Sequence, residues 1–500
     1  MTIHLSIIIF LPLATGLIGA VLPRGYARWA VLAGTVAVLA YTIVLLADFD
    51  SGARGLQYVT DDEWIPELGI RYQLGVDGLN LFMVVLTAVT WVPCTLVAAF
   101  REHERERLFF FWLALAETAV LGVFMAQDLA LFIIFFDLML VPFYFLIGGW
   151  GRGDRVRATT MFVIYTLVGS LLMLAAAVAL GVLATPDGGE ISFSLAVLEQ
   201  RSVPEGTQHW IVLLFALAFF VKAPLFPLHG WVPATYRSTS IPVLALLSAV
   251  LSKAGVYGFL RIVLPVMPEG SQHWQELFII VAVFSILYGS ILAFSQDNIR
   301  LVVAYSSIAQ LGFITLGIFA LEDKGAQGAV FQMLNHGLVV VPLFLIIGVI
   351  AARASGSQSV EQLGGMAFRA PVLAALFLIV TFATLAMPGS ANFIGEILVL
   401  FGTFEDKFVY GLVASIGVIL ASVYMIRVFQ RTMHNRVGPK VESREIDGIN
   451  LAAVAPLVAV IVALGIYPNF VVERTERSTV QSIEAAKALS GNRPEISVIR

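Results

Sequence analysis

Fourteen long apolar stretches dominate this chain, and they constrain its fold more than any other feature. A helix that crosses the hydrocarbon core of a bilayer needs about 20 mostly apolar residues. The stretches cover residues 2–22, 27–48, 75–99, 107–125, 128–148, 158–184, 210–228, 241–265, 275–294, 299–320, 327–352, 370–404, 408–431 and 450–471. Because backbone polar groups inside a bilayer must be satisfied within the chain, the pattern predicts an all-α membrane protein. We expect about fourteen transmembrane helices in a single transmembrane domain over residues 1–500.

The composition supports this class and excludes several others. Hydrophobic residues make up 59% of the chain and charged residues only 13%, whereas about a quarter of the residues in a soluble domain are charged. The net charge of −4 offers no basic surface for nucleic acid. The single cysteine, Cys94, excludes an internal disulfide and any zinc or iron–sulfur site built from cysteines of this chain alone. Residues 2–22 have no positively charged region before them, so we interpret them as a first spanning helix, not a cleaved signal.

Two of the spans are predicted to be broken inside the membrane. Span 210–228 contains Pro224 and Pro227, and span 370–404 is too long for one simple crossing and contains Pro388 and Gly389. Proline removes a backbone donor and clashes with the preceding turn. Such breaks are tolerated at membrane depth where the freed backbone is buried in protein or lines a cavity.

The distribution of lysine and arginine predicts how the chain is oriented. Loops after odd-numbered spans carry seventeen basic residues, loops after even-numbered spans carry six, and the polar C-terminal tail at 472–500 carries five. Cytoplasmic loops are enriched in Lys and Arg. We therefore expect the odd-numbered loops in the cytoplasm and both termini on the outer face.

Two basic residues are left over by this count, Lys222 and Lys253, and both lie within apolar spans. A charge near the centre of a bilayer costs about 2.5–3.5 kcal/mol on insertion scales, so it is usually kept for pairing or for function. Burial disfavours the charged form of a lysine, and a neighbouring carboxylate opposes that effect. Moving the carboxylate would therefore switch the proton affinity of the amine. The alternative is a structural ion pair that only fixes helix packing.

Acidic residues in the spans are the candidate partners. Asp137 lies among apolar neighbours, Glu396 follows the second predicted break, and Glu117 lies in the fourth span. Glu117 could instead be a simple hydrogen-bond partner between helices. Asp77 and Asp128 stand at helix starts, where capping or stabilisation by the helix dipole is the expected role.

Two histidines complete the set of candidate residues. His336 lies in the eleventh span, and His229 stands at the end of the seventh. An imidazole titrates near neutral pH, so either could relay a proton. The alternative for both is a hydrogen-bonded histidine without a transport role.

The order of the spans also suggests an internal repeat. Spans 4–8, over 107–265, and spans 9–13, over 275–431, each number five, and an odd number makes the second unit enter from the opposite face. The broken seventh and twelfth spans then occupy matching positions. Inverted repeats with paired broken helices are a common plan in transporters.

Seven motifs together resemble one known family. They are LGVDGL at 74–79, FFVKAP at 219–224, HGWVP at 229–233, LSKAGVYG at 251–258, AYSS at 304–307, QMLNHG at 332–337 and PGSANFIGE at 388–396. They look like the proton-conducting antiporter-type subunits of respiratory NADH:quinone oxidoreductase (complex I). The motif at 74–79 and the acid at Glu396, where sister subunits tend to carry lysine, are similar to the subunit M (chain 4) type.

The resemblance implies a fourteen-helix fold with two inverted five-helix repeats, one half-channel opening to each side, and a hydrated central axis. By position, Lys222 matches the lysine of the first broken helix, and Lys253 the lysine of the central axis. His336 matches an axis histidine, and Glu396 the exit-side acid. The usual glutamate of the fifth helix falls at Asp137.

This sequence departs from the family pattern at three places. Asp137 is one methylene shorter than the usual glutamate, which shortens its reach toward Lys222. Gln310 stands where this subunit type often has histidine; it can hold water but does not titrate near pH 7. The loop segment at 233–237 lacks an aspartate and a histidine that the family usually shows there.

The resemblance implies a membrane-arm subunit in the bacterial plasma membrane, next to other antiporter-like subunits. NADH, FMN, iron–sulfur clusters and quinone would belong to other subunits, and this chain would bind no cofactor or metal. Protons would pass from Asp137 and Lys222 to Lys253, then through Gln310 and His336 to Glu396. One alternative is a subunit of a multi-subunit cation/proton antiporter or of a membrane-bound hydrogenase. Another is a structural module that only anchors its neighbours.

Overall fold

The protein is a helical bundle. Its structure is a computed structural model, which describes residues 3–442 and 444–490. Its main helices are α1 (Leu5–Val21), α2 (Ala27–Asp48), α3 (Gly78–Ala99), α4 (Glu106–Met125), α5 (Leu129–Trp150), α6 (Arg155–Leu183), α7 (Glu205–Lys222), α8 (Val232–Ser238), α9 (Ile241–Val266), α10 (Pro268–Ser295), α11 (Ile299–Phe319), α12 (Asp323–Arg353), α13 (Pro371–Thr384), α14 (Ala391–Asp406), α15 (Phe408–Met433), α16 (Gly448–Ile466) and α17 (Asn469–Ser490). A single helical turn, Leu195–Leu198, lies between α6 and α7.

The predicted fold class is confirmed. Each predicted span contains a helix or a pair of helices, with ends that differ by only a few residues. Within the described residues, eleven helices are long and apolar enough to cross a membrane, and α1 and α13 are shorter apolar helices. The count of fourteen crossings and the inverted repeats at 107–265 and 275–431 stay predictions.

Both helix breaks occur at the positions that the prolines in the sequence indicated. Helix α7 ends at Lys222, two residues before Pro224, and the chain resumes helical structure only at α8. The second broken span divides into α13 and α14, and Gly389 between them has a φ of 93°, a left-handed backbone conformation that favours glycine. Both breaks leave ends of helices inside the bundle.

Three helices form the interior of the bundle and are surrounded by protein on all sides. Helices α9 and α12 are buried along their whole apolar length and α11 almost so, whereas α2, α15 and α16 are mostly exposed at the periphery. A helix that is apolar all round belongs in such an interior or against lipid. The polar residues of α9, α11 and α12 are therefore the ones placed at the centre of the protein.

Helix α9 is irregular at two places that periodicity did not predict. Its backbone widens into π-helical turns at Leu247–Leu251 and at Phe259–Val263, on either side of the segment Lys253–Gly258. Such turns often occur at functional sites. In the first of them, the Ser248 carbonyl accepts hydrogen bonds from the side chains of Ser252 and Lys253, both at 2.9 Å.

The charge count placed Arg261 and Arg300 in loops, which was wrong for both, because Arg300 lies in α11 and is 7% exposed. Arg261 was counted with a loop, but it lies inside α9, and its side chain is 11% exposed. It forms an ion pair with Asp77, with 2.6 Å between Nη2 and Oδ1. Since the pairing offsets the charge, an arginine can be kept at this depth.

Two elements outside the bundle were not predicted from the sequence. Strands β1 (Gln57–Ile65) and β2 (Ile70–Val76) form an antiparallel hairpin between α2 and α3. The segment assigned to a polar tail contains α17, which buries Val471, Thr475 and Ile483 against the bundle. Residues 491–500 of that tail lie outside the described residues.

The crossing of α14 over α12 depends on glycine. A Cβ added at Gly402 would stand 2.2 Å from the backbone nitrogen of Gly325. Overpacking of this kind typically costs about 1–3 kcal/mol. We expect Gly402→Ala to lower the thermal midpoint of the detergent-solubilised protein, whereas Gly206→Ala, which would meet nothing within 4 Å, leaves it unchanged or slightly higher. Equal midpoints for the two variants would contradict this packing argument.

Candidate functional site

Lys222 is the last residue of α7, and the bundle buries it to 2% exposure. Its ammonium lies 4.5 Å from the centroid of the Phe136 ring on α5, a cation–π contact. Among the described residues, no carboxylate oxygen lies within 4.0 Å of it. The helix break thus leaves a lysine at a buried helix end without a direct counter-ion.

Asp137, the predicted partner, is close but not in contact with the lysine. Its carboxylate lies beside Ser170 of α6 and is within the electrostatic reach of Lys222. Its Oδ1 atom is buried and has no hydrogen-bond partner in the described protein. The two residues are therefore coupled through space, and a small movement of α5 or α7 would change that coupling strongly because the surroundings have low dielectric constant.

Lys253 sits at the centre of a continuous polar network on α9, α11 and α12. It is fully buried, and its Nζ lies 2.7 Å from Nδ1 of His336. On the other side of the ring, Nε2 of His336 lies 3.3 Å from Oγ of Ser307, which lies 3.3 Å from Oγ of Ser248. A lysine and an imidazole in direct contact can exchange a proton without any further rearrangement of the protein.

Glu396 belongs to a second network, just after the break between α13 and α14. Gln310 donates a hydrogen bond of 2.7 Å from Nε2 to Oε1 of Glu396. Gln332 in turn donates one of 2.6 Å to Oε1 of Gln310. All three side chains are at most 3% exposed. The carboxylate of Glu396 is thus oriented by the side-chain amide of Gln310, which is held in turn by the side-chain amide of Gln332.

The two networks are one helical turn apart. Ser307 and Gln310 are three residues apart on α11, and His336 and Gln332 are four apart on α12. Residues at these spacings lie on the same helix face, with about 5–6 Å between their Cβ atoms. Lys253 and Glu396 are therefore brought into one row, with a gap that one or two water molecules could bridge.

Unpartnered polar atoms surround this gap. Oδ1 of Asn335, Oε1 of Gln332 and both side-chain polar atoms of Asn392 are buried without a hydrogen-bond partner in the described protein. Buried polar groups in native proteins are nearly always satisfied, by protein or by ordered water. The region of the second break is thus polar enough to hold water.

Helices α7 and α9, which carry Lys222 and Lys253, pack directly against each other. The helices α7 and α9 approach closely there, and a Cβ at Gly255 would stand 2.6 Å from the Phe219 carbonyl. Farther along the same two helices, Phe219 packs against Phe259 with 5.2 Å between the ring centroids. In the described residues, no hydrogen bond links the two lysines.

The secondary candidates stand apart from both networks. Glu117 is fully buried on α4, and neither of its carboxylate oxygens has a hydrogen-bond partner in the described protein. His229 contacts the rings of Phe226 and Tyr288, and its Nδ1 is unpartnered. Asp77 and Asp128 cap the starts of α3 and α5, which confirms the capping prediction.

The segment at 233–237 forms most of α8 and lines a polar cavity of about 490 Å³. Arg152, Arg157 and Arg237 face this cavity together with Asp154. The loop after the seventh span is predicted to face the cytoplasm. If so, the cavity is open to cytoplasmic water. No group of three or more His, Cys, Asp or Glu that could hold a metal occurs in the described part of the chain.

The main participants that sequence reasoning missed are Gln332, Ser307 and Asn392. The signal for the first two was available, because Gln332 shares a helix face with His336, and Ser307 shares one with Gln310. Asn392 offered no such pattern, since its role depends on how the break between α13 and α14 turns the chain.

Comparisons of the sequence and of the structure with known proteins point to the same family. A model of the NADH:quinone oxidoreductase/Mrp antiporter transmembrane family matches residues 126–422. The NADH-quinone oxidoreductase subunit M of Rhodobacter capsulatus is 36% identical over 513 aligned positions, which cover 98% of this chain and 99% of that protein. A chain of respiratory complex I from Thermus thermophilus superposes with a TM-score of 0.88 at 29% identity, covering 97% of this chain and 100% of that one.

A chain of the Mrp complex from a Dietzia species is also similar in structure. Its TM-score is 0.84 at 21% identity, and the match covers 97% of this chain and 98% of that one. At this level of identity the likeness shows the fold alone.

The unpartnered polar atoms give a direct prediction. We expect ordered water within hydrogen-bond distance of Oε1 of Gln332 and of the Asn392 side chain, because leaving such groups unsatisfied costs about 1–3 kcal/mol each. A high-resolution cryo-electron microscopy map of the assembled complex would show it as discrete density. A dry, apolar cavity at Asn392 would contradict the prediction, and the apolar contact between Phe219 and Phe259 serves as the internal control for spurious density.

Proposed function

Because this chain belongs to the NADH:quinone oxidoreductase/Mrp antiporter transmembrane family, we propose that it is a proton-translocating membrane-arm subunit, of the subunit M type, in a respiratory NADH:quinone oxidoreductase. It is a multi-pass membrane protein, with eleven helices in the described residues that are long enough to cross. We place it in a bacterial plasma membrane, with both termini on the outer face. The observation that supports the proposal is the row of buried titratable and polar side chains on α9, α11, α12 and α14.

Proton uptake is assigned to the first broken helix. The charge of Asp137 favours the ammonium form of Lys222, and burial of the amine opposes it. When the carboxylate comes nearer, Lys222 holds a proton, and when it recedes, Lys222 releases the proton. A movement of α5 relative to α7 would therefore act as the switch.

Transfer across the middle of the membrane is assigned to Lys253 and His336. With 2.7 Å between Nζ and Nδ1, the proton on the lysine can pass to a neutral imidazole, and the imidazole can pass its other proton toward Ser307. The hydroxyl of Ser307 both accepts and donates, so it can pass the proton on to water near Gln310. We propose that the step from Lys222 to Lys253 needs bridging water, because no hydrogen bond links the two lysines in the described residues.

Release is assigned to Glu396. Its carboxylate is buried beside the amide of Gln310, which stabilises the ionised acid by donating to it. We further propose that the repeats at 107–265 and 275–431 carry one half-channel each, the first open to the cytoplasm and the second to the outside. Each proton moved against 100 mV needs about 2.3 kcal/mol. That energy would come from redox chemistry in other subunits, which would hold the NADH, FMN, iron–sulfur and quinone sites.

A subunit of a multi-subunit cation/proton antiporter, or of a membrane-bound hydrogenase, is the alternative. The likeness to the Mrp complex shows the fold only, and no residue of the site favours sodium over protons. Purification in mild detergent separates the two proposals. Flavin and iron–sulfur subunits with NADH oxidation support the first, and sodium-dependent growth without redox partners supports the second.

Removing the amine of Lys222 tests the proposal most directly. In the fully assembled complex, we expect Lys222→Ala to abolish most of the proton pumping per quinone reduced, because no other basic group stands at the end of α7. The measurement is the ratio of proton uptake into inverted vesicles to quinone turnover. Lys440→Ala, at an exposed lysine, is the matched control and keeps the ratio. Unchanged pumping at unchanged turnover in Lys222→Ala would refute the role.

The length of the acid at position 137 can be tested separately. Asp137→Glu lengthens the side chain toward Lys222, so we expect pumping to be kept or improved. Asp137→Asn keeps the shape but removes the charge, so we expect a loss of pumping with assembly intact. The comparison is again protons pumped per quinone. If both variants pump like the natural protein, Asp137 is not the switch, and Glu117 becomes the next candidate to substitute.

A further inference from the structure

Arginines gather around the C-terminal end of α8, the short helix that follows the break after α7. Arg152 donates its backbone N–H to the Ser238 carbonyl at 2.7 Å. Arg300 donates from Nη1 to the next carbonyl along the chain, that of Thr239, at 2.8 Å. Both arginines are therefore fixed to the end of α8, which also carries Arg237.

The guanidinium of Arg300 is buried without a counter-ion. The residue is 7% exposed, its Nε has no hydrogen-bond partner in the described protein, and the charges that act on it are those of Arg101 and Arg152. Among the described residues, no carboxylate oxygen lies within 4.0 Å of these three arginines. Asp447 also acts on Arg101, but its oxygens already accept hydrogen bonds from Asn450. Because backbone carbonyls supply only partial charges, the cluster stays positive, and a buried charge is normally paired.

A cavity of about 490 Å³ opens beside this cluster, between α6 and α8. Its lining carries three arginines, Arg152, Arg157 and Arg237, against a single acid, Asp154, which gives a net charge of +2. Asp154 is already used as the cap of α6, where it accepts from the backbone nitrogen of Arg157 at 3.2 Å. The three arginines are exposed, so a small anion from solution can reach their donors.

The predicted orientation in the membrane accounts for the sign of this charge but not for its arrangement. Cytoplasmic loops are enriched in Lys and Arg, wherever the side chains of those loops point. That rule does not require Arg300 to be buried. Nor does it require Arg152 to lie within the electrostatic reach of both Arg101 and Arg300. Like charges held together repel each other, and a bound anion removes that repulsion.

A phosphate group fits the chemistry of this cavity. A guanidinium presents a planar fork of donors that matches the oxygens of a phosphate and often binds two of them at once. The segment at 233–237 lacks the aspartate that the family usually shows there and carries Arg237 instead. This wall of the cavity therefore attracts an anion where an acid would repel it.

We propose that the cavity between α6 and α8 binds a phosphate group through the guanidinium groups of Arg152, Arg157 and Arg237. The charges of Arg101 and Arg300 add to the positive potential around it. The group belongs either to free phosphate or to the headgroup of an anionic phospholipid, because the same donors recognise both. The bound anion joins α6 to α8 and offsets the repulsion among the arginines. The site does not depend on whether the chain translocates protons.

Binding is tested as a shift of the thermal midpoint of the full-length chain in detergent, since a ligand that binds only the folded state stabilises it. Cys94 is the single cysteine and is buried, so a thiol-reactive fluorophore reports unfolding. We expect about 10 mM inorganic phosphate to raise the midpoint by about 2 °C or more relative to sodium chloride of equal ionic strength. An equal rise in sodium chloride would mean that salt only screens the arginines, and it would overturn the proposal.

Substitution at Arg237 shows whether the anion uses this cavity. The side chain is exposed, and we expect Arg237→Gln to weaken the apparent phosphate affinity by about tenfold or more. Arg237→Lys keeps the charge but loses the fork of donors, so its affinity falls between the two. The matched control is Arg436→Gln, at an exposed arginine in another loop that is predicted to be cytoplasmic, and it keeps the natural response. If Arg237→Gln does not fold, Arg157→Gln replaces it, and natural affinity in the folded variant would refute the site.

A second arm identifies the source of the phosphate group. The phosphate-free chain is titrated with phosphatidylglycerol in detergent micelles, with zwitterionic phosphatidylcholine as the comparison. A rise of the midpoint with phosphatidylglycerol alone, lost in Arg237→Gln, supports the site and assigns the group to a lipid headgroup. A rise with inorganic phosphate supports the site for the free anion. No response to either anion would overturn the proposal.

Discussion

The contact between Lys253 and His336 is the interaction on which the rest of the structure depends. Nζ and Nδ1 stand 2.7 Å apart, and both residues are almost completely buried. Two positive charges at that distance in a medium of low dielectric constant would repel each other strongly, so the pair holds one excess proton and not two. In the proposed function, a pair that shares one proton acts as a relay and needs other proton carriers next to it. The row of polar residues on α11, α12 and α14 supplies them toward Glu396.

Keeping such a pair in the middle of a membrane requires a protein shell rather than lipid. Helices α9, α11 and α12 are surrounded by the other helices, which explains why their polar residues are tolerated. Glycines let these helices approach one another closely, as Gly402 does at the crossing of α14 over α12. The two broken helices then present their ends, and with them Lys222 and the residues before Glu396, to the interior instead of to the bilayer.

Direction is the property that a row of carriers does not provide by itself. In the described residues, no hydrogen bond connects Lys222 to Lys253, so the proposed uptake side and the central pair are not joined in this conformation. The geometry thus separates the steps that a pump has to keep separate.

The sequence by itself determined the fold class, the positions of the spans and the two broken helices, because hydrophobic length and proline act locally along the chain. It also identified Lys222, Lys253, His336 and Glu396 as unusual, since buried charges are rare enough to be seen one residue at a time. The hairpin was missed because its two strands are stabilised mainly by pairing with each other, and α17 because it packs against the bundle; hydropathy records neither.

Only the tertiary structure decided which of these residues meet. It joined Lys253 to His336 and Gln310 to Glu396, left Asp137 short of contact with Lys222, and paired Arg261 with Asp77. Each of these outcomes depends on how two distant helices cross and rotate, to within an ångström or two. Helix periodicity fixes which residues share a face, but the packing of side chains across the bundle fixes which faces oppose each other.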